Sequence, residues 1–302
     1  MHNVYLIGPI YNHLIESTDN IYESYIGGNV GNISIILSNY NNKNIKNIYC
    51  ISKLSNDNEG NILKNMLKEH NINTNYIQEE TTNSLFTSLI HSNIDIKNNN
   101  DTLNNDKVYN SISIITNLSN NNDISNILYI SFETFNNNIN IVNSIIKLIN
   151  NNNITVIFDI TNISKYLIHN IKQDIIDNIL IYINIFIGNI EDFNILFNNK
   201  INNIIDVIEF IYPKLLFMII KDANNYQFIS KKKIYKINHT IDYIKNKWNN
   251  NIFISSIIIY YIQYLFNINN YDINIINNLF NFCNEYILYS YNNLLINNSY
   301  LK

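Results

Sequence analysis

The stretch YIGGNVGNIS, from Tyr25 to Ser34, holds three of the six glycines in a chain of 302 residues. It follows an apolar segment, NVYLIG, that predicts a first β-strand, and a short irregular connection. Glycine accepts positive φ angles and lets a ligand approach bare backbone. Apolar residues then recur at helical spacing, at Val30, Ile33, Ile36, Leu37 and Tyr40. The order of strand, paired glycines and helix predicts a binding turn, with a plain turn before a helix as the alternative.

The composition favours residues with A+T-rich codons, and we infer an A+T-rich genome. Arginine is absent and alanine occurs once, whereas asparagine, isoleucine and tyrosine are abundant. Hydrophobic residues make up 46% and charged residues 15%, which indicates a globular chain rather than a disordered one. The net charge of −4 argues against direct nucleic-acid binding.

The sequence carries signals about its compartment. Cys50 and Cys283 are far apart and form neither a disulfide framework nor a metal motif. The N-terminus lacks the pattern of a secretory signal peptide. We therefore expect a cytoplasmic protein, or one from an organelle such as a plastid if a targeting segment is absent from this sequence. The uncharged stretch 252–268 is short for a membrane span, and we interpret it as a buried core helix rather than a membrane segment.

Apolar segments of strand length alternate with helical patterns along most of the chain. Strands separated by helices in this way are typical of a parallel sheet covered on both faces. The strongest strand predictions after the first strand are 47–51, 127–132, 154–160, 179–188 and 214–220, followed by a hairpin near Asn224 and two C-terminal helices. We predict an α/β fold in a single domain over residues 1–302, with lid segments near 13–25 and 84–96.

The spacing of these features resembles the PfkB/ribokinase family of sugar and nucleoside kinases. Gly27 and Gly28 followed by Asn32 resemble the family's Gly-Gly-x-x-x-Asn, in which the asparagine binds the sugar. The segment ISKLSNDNEG resembles I-G-x-x-G-x-D-x-x-G and keeps Asp57 and Gly60. Further resemblances follow in order at NINTNYI (71–77), TTNSLFTSLI (81–90), ISFETF (130–135), FDI (158–160) and GNIED (188–192).

The resemblance implies a ribokinase-like fold, with a central, mostly parallel sheet, helices on both faces and a small β lid. It also implies a sugar or nucleoside substrate, with ATP and Mg²⁺ as cofactors of an active enzyme. The substrate-binding positions that it implies are Gly27, Gly28, Asn32, Glu133 and His13, which stands where the family has a sugar-binding aspartate. The cofactor positions that it implies are Asn189, Asp192, Asp222, Asn225, Trp248, Asn249 and Asn250, with Asp192 also in the place of a magnesium ligand.

The family's second signature, D-T-x-G-A-G-D-x-F, departs from its pattern in this chain. Alignment on Phe253 gives KNKWNNNIF, in which Trp248 and Asn250 replace glycines and Asn251 replaces the catalytic base. An amide cannot accept the proton of a hydroxyl group as a carboxylate does. An indole side chain would crowd a loop that is built from bare amides. Asp242 is the nearest other acid, but it does not have the family's spacing.

Three functions therefore compete at the level of sequence. The first is a pseudokinase that acts as a binding or scaffold protein, with a parallel in the fructokinase-like proteins of plastids, which keep this fold while attached to an RNA polymerase. The second is an active sugar or nucleoside kinase that depends on ATP and magnesium. A structural membrane protein is the third and requires 252–268 to span a bilayer. The first interpretation implies a partner in a protein complex, and the fold allows a homodimer through the lid.

Overall fold

The structure is a computed structural model. It describes residues 1–18, 21–40, 43–80, 87–90, 125–135, 139–150, 154–161, 163, 175–198, 205, 208, 212–222, 225–230, 233–238, 249–266, 268 and 271–297. Only the backbone is described at 13–18, 21–24, 80, 87–90, 139–140, 238, 249 and 291–297.

A nine-stranded sheet forms the centre of the described structure. In spatial order its strands are β12 (Lys233–Asn238), β11 (Asn225–Ser230), β10 (Phe217–Asp222), β9 (Ile185–Asn189), β8 (Ile154–Asp159), β7 (Ser125–Ser131), β1 (His2–Ile7), β4 (Ile45–Ser55) and β5 (Asn73–Glu80). The pairs from β10 to β5 are parallel, and only the pairs that join β10, β11 and β12 are antiparallel. The predicted mostly parallel sheet is confirmed.

Helices cover both faces of this sheet. The helices with described bounds are α1 (Asn29–Asn39), α2 (Asn58–Glu69), α3 (Ile139–Asn150), α4 (Ile190–Leu196), α5 (Asn249–Tyr260) and α6 (Ile273–Asn297). Side chains of α1, α2, α5 and α6 pack in one core with Val4 and Leu6 of β1. Those of α3 and α4 pack in a second core with Tyr5 and Ile7. Alternate residues of one buried strand thus enter opposite cores, which explains why the strands are apolar without interruption.

A second, three-stranded sheet lies beside the start of α1. It consists of β3 (Ile21–Gly27), β2 (Tyr11–Thr18) and β6 (Thr87–Ile90), with β2 in the centre. The side chains of Ile10 and Ile26 lie against Gly31 of α1, so this sheet packs on the helix that follows the paired glycines. We call it the lid sheet.

The uncharged stretch 252–268 is part of the core. It forms most of α5 and a π-helical turn, Tyr261–Leu265, and the side chains of Ile257, Ile258 and Ile259 are fully buried. No helix in the described part of the chain is long and apolar enough to cross a membrane.

Two strand predictions need correction. Residues 179–188 were expected to be one strand, but Leu180–Tyr182 form a 3₁₀ turn and the strand begins at Ile185. Between them, the side-chain oxygen of Asn184 accepts a hydrogen bond from the Val156 amide at 2.8 Å. Leu180 and Ile183 are buried although they lie outside the strand, so the apolar run did not require a strand here. The edge strand β12 was not predicted.

Candidate functional site

The topology points to the carboxyl ends of β1 and β7 as the candidate ligand site, which we call the crevice. The chain runs from β1 to β4 and β5 on one side, and from β7 to β8, β9 and β10 on the other. The strand order therefore reverses between β1 and β7, and open α/β sheets bind their ligands at such a reversal. Asn29, at the start of α1, donates from Nδ2 to Ser131 Oγ at the end of β7, at 3.2 Å. The first turn of α1 thus lies directly over this crevice.

Gly28 caps α1 with a backbone that other residues rarely adopt. Its φ is 80° and its ψ is 156°, and a Cβ atom built there would lie 2.4 Å from the carbonyl oxygen of Pro9. Gly27 is buried at the end of β3, where it pairs with Tyr11. The chain entering the lid sheet and the chain leaving it meet at this point. A glycine is therefore needed at Gly28 for this close approach of two backbone segments.

Asn32 lies one turn further along α1. Its backbone amide donates to the Gly28 carbonyl at 3.0 Å, and the residue is 7% exposed. Its side-chain oxygen is buried and accepts no hydrogen bond from the described residues. An unsatisfied buried amide oxygen costs free energy of about 1–3 kcal/mol. A ligand that donates a hydrogen bond to Oδ1 would remove this cost.

Glu133 lies in the short 3₁₀ turn Phe132–Phe135 that follows β7. The turn is anchored to β1, because Thr134 Oγ1 donates to the Ile7 carbonyl at 3.1 Å. Glu133 is 8% exposed, and its charge contributes to the raised pKa of Tyr129. The turn that carries Glu133 directly follows Ser131, which accepts the hydrogen bond from Asn29, so this turn lies close to the start of α1.

Asn12, which the sequence reasoning missed, is a further candidate. It lies in β2 opposite Ile26 and is 2% exposed. Neither Nδ2 nor Oδ1 has a hydrogen-bond partner among the described residues. Ile10 and Ile26 face Gly31 of α1, and Asn12 shares their side of the strand pair. The alternation of Ile10 with Asn12 was the available signal, but it was hidden because asparagine is so common in this chain.

His13 is the neighbour of Asn12 in β2, and its backbone pairs with Tyr25 and Ser88. The His13 side chain lies outside the described part of the structure. The sugar-binding role suggested for His13 therefore stays a prediction.

A buried acidic pair lies at the end of β8. Tyr129 donates to Asp159 Oδ2 at 2.7 Å, and the Thr161 amide donates to Oδ1 at 2.9 Å. Burial is the main cause that raises the pKa of the Asp159 carboxyl group, and burial also raises the pKa of Tyr129 well above its usual value. Because both oxygens of Asp159 accept protein hydrogen bonds, the pair holds the end of β8 in place.

Asp192 is bound by the protein on both of its oxygens. Its Oδ1 accepts from the Ile163 amide at 3.0 Å, and its Oδ2 accepts from Asn189 Nδ2 at 2.9 Å. Asn189 caps α4 directly after β9, so the N-x-x-D segment forms a helix start at the sheet edge. Among the described residues, no group of three or more His, Cys, Asp or Glu side chains could hold a metal ion. The role of Asp192 as a magnesium ligand stays a prediction.

The start of α5 faces the end of β10. Lys221 Nζ donates to Asn250 Oδ1 at 3.2 Å, and burial lowers the pKa of Lys221. Asn251 is 5% exposed, and its Oδ1 is buried without a hydrogen-bond partner in the described structure. Asp222 and Asn225 are directly paired across the turn between β10 and β11. These positions, which the sequence placed near a nucleotide, therefore lie at the same edge of the sheet as β9 and α4.

The side chains of two predicted cofactor positions lie outside the described part of the structure. Trp248 lies outside the described residues, and only the backbone of Asn249 is described, as the first residue of α5. Their suggested contacts with a nucleotide stay predictions.

This architecture defines a class, namely an α/β protein with a small lid sheet over the reversal point of a mostly parallel sheet. A model of the pfkB family of carbohydrate kinases matches residues 1–223. The chain therefore belongs to the PfkB carbohydrate kinase family. The match ends ahead of α5 and Asn251. No curated protein sequence matches the chain significantly.

Solved structures with this fold include kinases of sugars and nucleosides. Aminoimidazole riboside kinase from Salmonella enterica, crystallised with aminoimidazole riboside and an ATP analogue, is 13% identical with a TM-score of 0.66, covering 93% of this chain and 90% of that one. Fructokinase from Xylella fastidiosa with bound ATP is 10% identical, with a TM-score of 0.65 and coverages of 87% and 82%. Fructokinase from Vibrio cholerae O395 with fructose, ADP and calcium is 11% identical, with a TM-score of 0.64 and coverages of 87% and 84%. At these identities the likeness shows the fold.

Proposed function

We propose that this protein is a PfkB-type pseudokinase, which binds a sugar or nucleoside under its lid sheet and acts as a binding or scaffold protein. The observation that carries the loss of catalysis is the first turn of α5, which contains no acidic residue. Asn251 occupies the position that the family resemblance assigns to the catalytic base. A neutral amide there has no basic lone pair to accept a proton from a hydroxyl group.

The ligand-binding half of the proposal is supported by the buried amides near the paired glycines. Asn12 and Asn32 are both more than nine-tenths buried, and three of their side-chain polar atoms have no partner in the described structure. Amide groups offer both donors and acceptors, which suits the hydroxyl groups of a neutral sugar or nucleoside. Glu133, in the turn after β7, offers a carboxylate as a further acceptor.

The donors that the structure describes do not fit a magnesium ion. Both oxygens of Asp192 accept hydrogen bonds from the protein, and oxygen ligands for Mg²⁺ would have to come from elsewhere. The resemblance aligns Asp222 with a glycine of the family loop that borders the nucleotide, so a carboxylate stands there in this chain. These features favour the pseudokinase over a working phosphotransferase.

An active, divergent kinase is the second candidate. The segment from Asn189 to Asp192 keeps its place at the start of α4 and at the carboxyl end of β9, which favours this candidate. ATP consumption over a panel of sugars and nucleosides separates the two candidates.

Asn32→Ala tests the proposed ligand site. We expect the variant to lose about tenfold or more in affinity for the best sugar or nucleoside of a calorimetric panel, because a hydrogen bond to the ligand is removed. Its melting temperature should stay level or rise, since the change removes an unsatisfied buried oxygen and alanine favours helices.

Asn39→Ala is the matched control for Asn32→Ala, because Asn39 is an exposed residue of the same helix. It should leave ligand affinity unchanged. Equal affinities for Asn32→Ala and wild type would show that Asn32 is not a ligand contact. A panel in which no sugar or nucleoside binds the wild type would refute the ligand-binding part of the proposal.

A further inference from the structure

The edge strand β12 lies in a segment with a concentration of positive charge. Four of the chain's 20 lysines lie between residues 231 and 236, and neither β11 nor β12 contains an acidic residue. The chain as a whole has a net charge of −4. The side chains of Lys233 and Lys236 are exposed. This edge of the sheet is therefore basic in a protein that is acidic overall.

The backbone of β12 presents open hydrogen-bonding groups at the edge of the described sheet. β11 lies on one side of β12, and no described strand lies on the other side. Ser230 and Lys233 are paired although only two residues separate them, and a pair at so short a connection exchanges both of its backbone hydrogen bonds. Hydrogen-bonded and non-hydrogen-bonded pairs alternate along an antiparallel ladder. The N–H and C=O groups of Ile234 and Lys236 therefore point away from β11, toward the open edge.

The side chains of β12 divide between the two faces of the sheet. Tyr235 and Ile237 pack on the core that contains α5 and α6, and Tyr235 Oη donates to the Tyr271 carbonyl at 3.4 Å. By the alternation of a strand, Ile234 and Lys236 lie on the other face. The Ile234 side chain is 46% exposed. An apolar side chain and a cation thus share one face of the strand, beside open backbone groups.

Lysines on an edge strand also have a protective role, because they oppose edge-to-edge pairing between like strands. That role does not account for Ile234, since an exposed apolar side chain on an edge favours pairing. A second copy of this chain offers a poor partner strand. The opposite edge of the sheet, β5, contains Glu79, but the Glu79 carboxylate already pairs with Lys64 of α2. The charge of β12 therefore favours an acidic strand from another protein.

We propose that the open edge of β12, which we call the basic edge, binds an extended acidic segment of a partner protein by β-strand addition. The backbone of the partner bonds to the outward N–H and C=O groups of Ile234 and Lys236. Its carboxylates lie opposite Lys233 and Lys236, and an apolar side chain packs on Ile234. The inference extends the proposed scaffold role by naming the chemistry of a partner, and it does not depend on the loss of catalysis.

Fluorescence anisotropy with the full-length chain tests the basic edge. The probe is a labelled peptide with the central sequence Glu-Thr-Val-Glu, which in antiparallel register places glutamates opposite Lys236 and Lys233 and valine opposite Ile234. The same peptide with glutamine in place of glutamate should bind about tenfold more weakly, because its charge is removed.

Lys236→Glu should weaken binding of the acidic peptide by about tenfold, because attraction becomes repulsion. Lys46→Glu, at an exposed position of β4, makes the same change in net charge and should match wild type. A Lys236→Glu variant that binds the acidic peptide as tightly as wild type would overturn the inference, as would a wild type that does not bind this peptide.

Ile234→Pro tests the backbone part of the inference. Proline removes the outward N–H at this position but no hydrogen bond to β11, and edge strands accept proline at such positions. Peptide binding should fall at least tenfold while the protein stays folded by circular dichroism. Lys236→Glu does not depend on the tolerance of β12 for proline. Undiminished peptide binding by a folded Ile234→Pro would refute strand addition.

Further measurements separate the other occupants and the proposed function. Lysine-dependent binding of single-stranded oligothymidine that is tighter than peptide binding would overturn the inference in favour of nucleic acid. Self-association that Lys236→Glu abolishes would overturn it in favour of a second copy. Peptide binding together with sugar-dependent ATP consumption would keep the basic edge and refute the pseudokinase. Sugar binding without peptide binding would keep the ligand site and refute the basic edge.

Discussion

Neither the wild-type protein nor Asn251→Asp will phosphorylate a sugar or nucleoside at a rate near about one per second, a rate within the ordinary range for enzymes. In the proposed pseudokinase, Asn251 stands where the family resemblance places the general base, a loss of roughly 10²–10⁴ in rate. A second loss is independent of the first, because Trp248 and Asn250 replace the glycines whose amides would face the transferring phosphate. Each hydrogen-bond donor that no longer reaches the transferring phosphate typically costs about 10²–10³ in rate. Restoring the carboxylate alone leaves the second loss in place.

The measurement is ATP consumption by purified protein over a panel of sugars and nucleosides, with an active bacterial fructokinase assayed in parallel as the positive control. The melting temperature of Asn251→Asp should equal or exceed that of wild type, because a first-turn carboxylate stabilises a helix. Turnover near one per second by either protein, or micromolar affinity for ATP with magnesium in the wild type, would replace the pseudokinase proposal with the active kinase.

Gly60→Ala will lower the free energy of unfolding by about 3 kcal/mol or more. A Cβ atom at Gly60 would lie 1.8 Å from the carbonyl oxygen of Ser55 and 2.8 Å from its carbonyl carbon. Because these are backbone atoms, no side-chain rotation relieves the overlap. The end of β4 or the first turn of α2 has to move, and overpacking of this kind costs at least about 1–3 kcal/mol before the backbone shift is counted.

Urea denaturation of Gly60→Ala measures this effect. Asn61→Ala, the next residue along α2 and an exposed one, is the matched control and should change stability by less than about 0.5 kcal/mol. A Gly60→Ala variant as stable as wild type would mean that the close contact between β4 and α2 is absent from the protein in solution.

The same segment shows why a partial motif could be read from the sequence. Asp57 caps α2, with its Oδ1 accepting from the Gly60 amide at 2.9 Å and from Ser55 Oγ at 2.7 Å. Ser52 and Ser55 replace two glycines of the family motif. Asp57 is kept because it caps α2, and Gly60 is kept because a Cβ atom there would overlap the backbone of Ser55. The two motif residues that this segment keeps are thus the ones whose side chains are fixed by contacts with neighbouring residues in the sequence.

Asn12 illustrates the opposite case. Asparagine is the commonest polar filler in this chain, so no single asparagine stands out in the sequence. The position of Asn12 became informative only when β2 was paired with β3 and packed on α1, which buried its amide with no hydrogen-bond partner among the described residues. The family resemblance instead suggested His13 as the substrate-binding residue of this segment.

The sequence by itself determined the fold class and the family resemblance. These properties depend on short-range patterns, such as apolar runs, glycine spacing and residue identity, that survive in one dimension. Only the tertiary structure decided that Lys221 meets Asn250, 29 residues away, and that the oxygens of Asp192 are already bonded to Ile163 and Asn189. The physical reason is that hydrogen-bond partners and burial are set by which strands become neighbours and which face each side chain takes, and neither is encoded in local spacing.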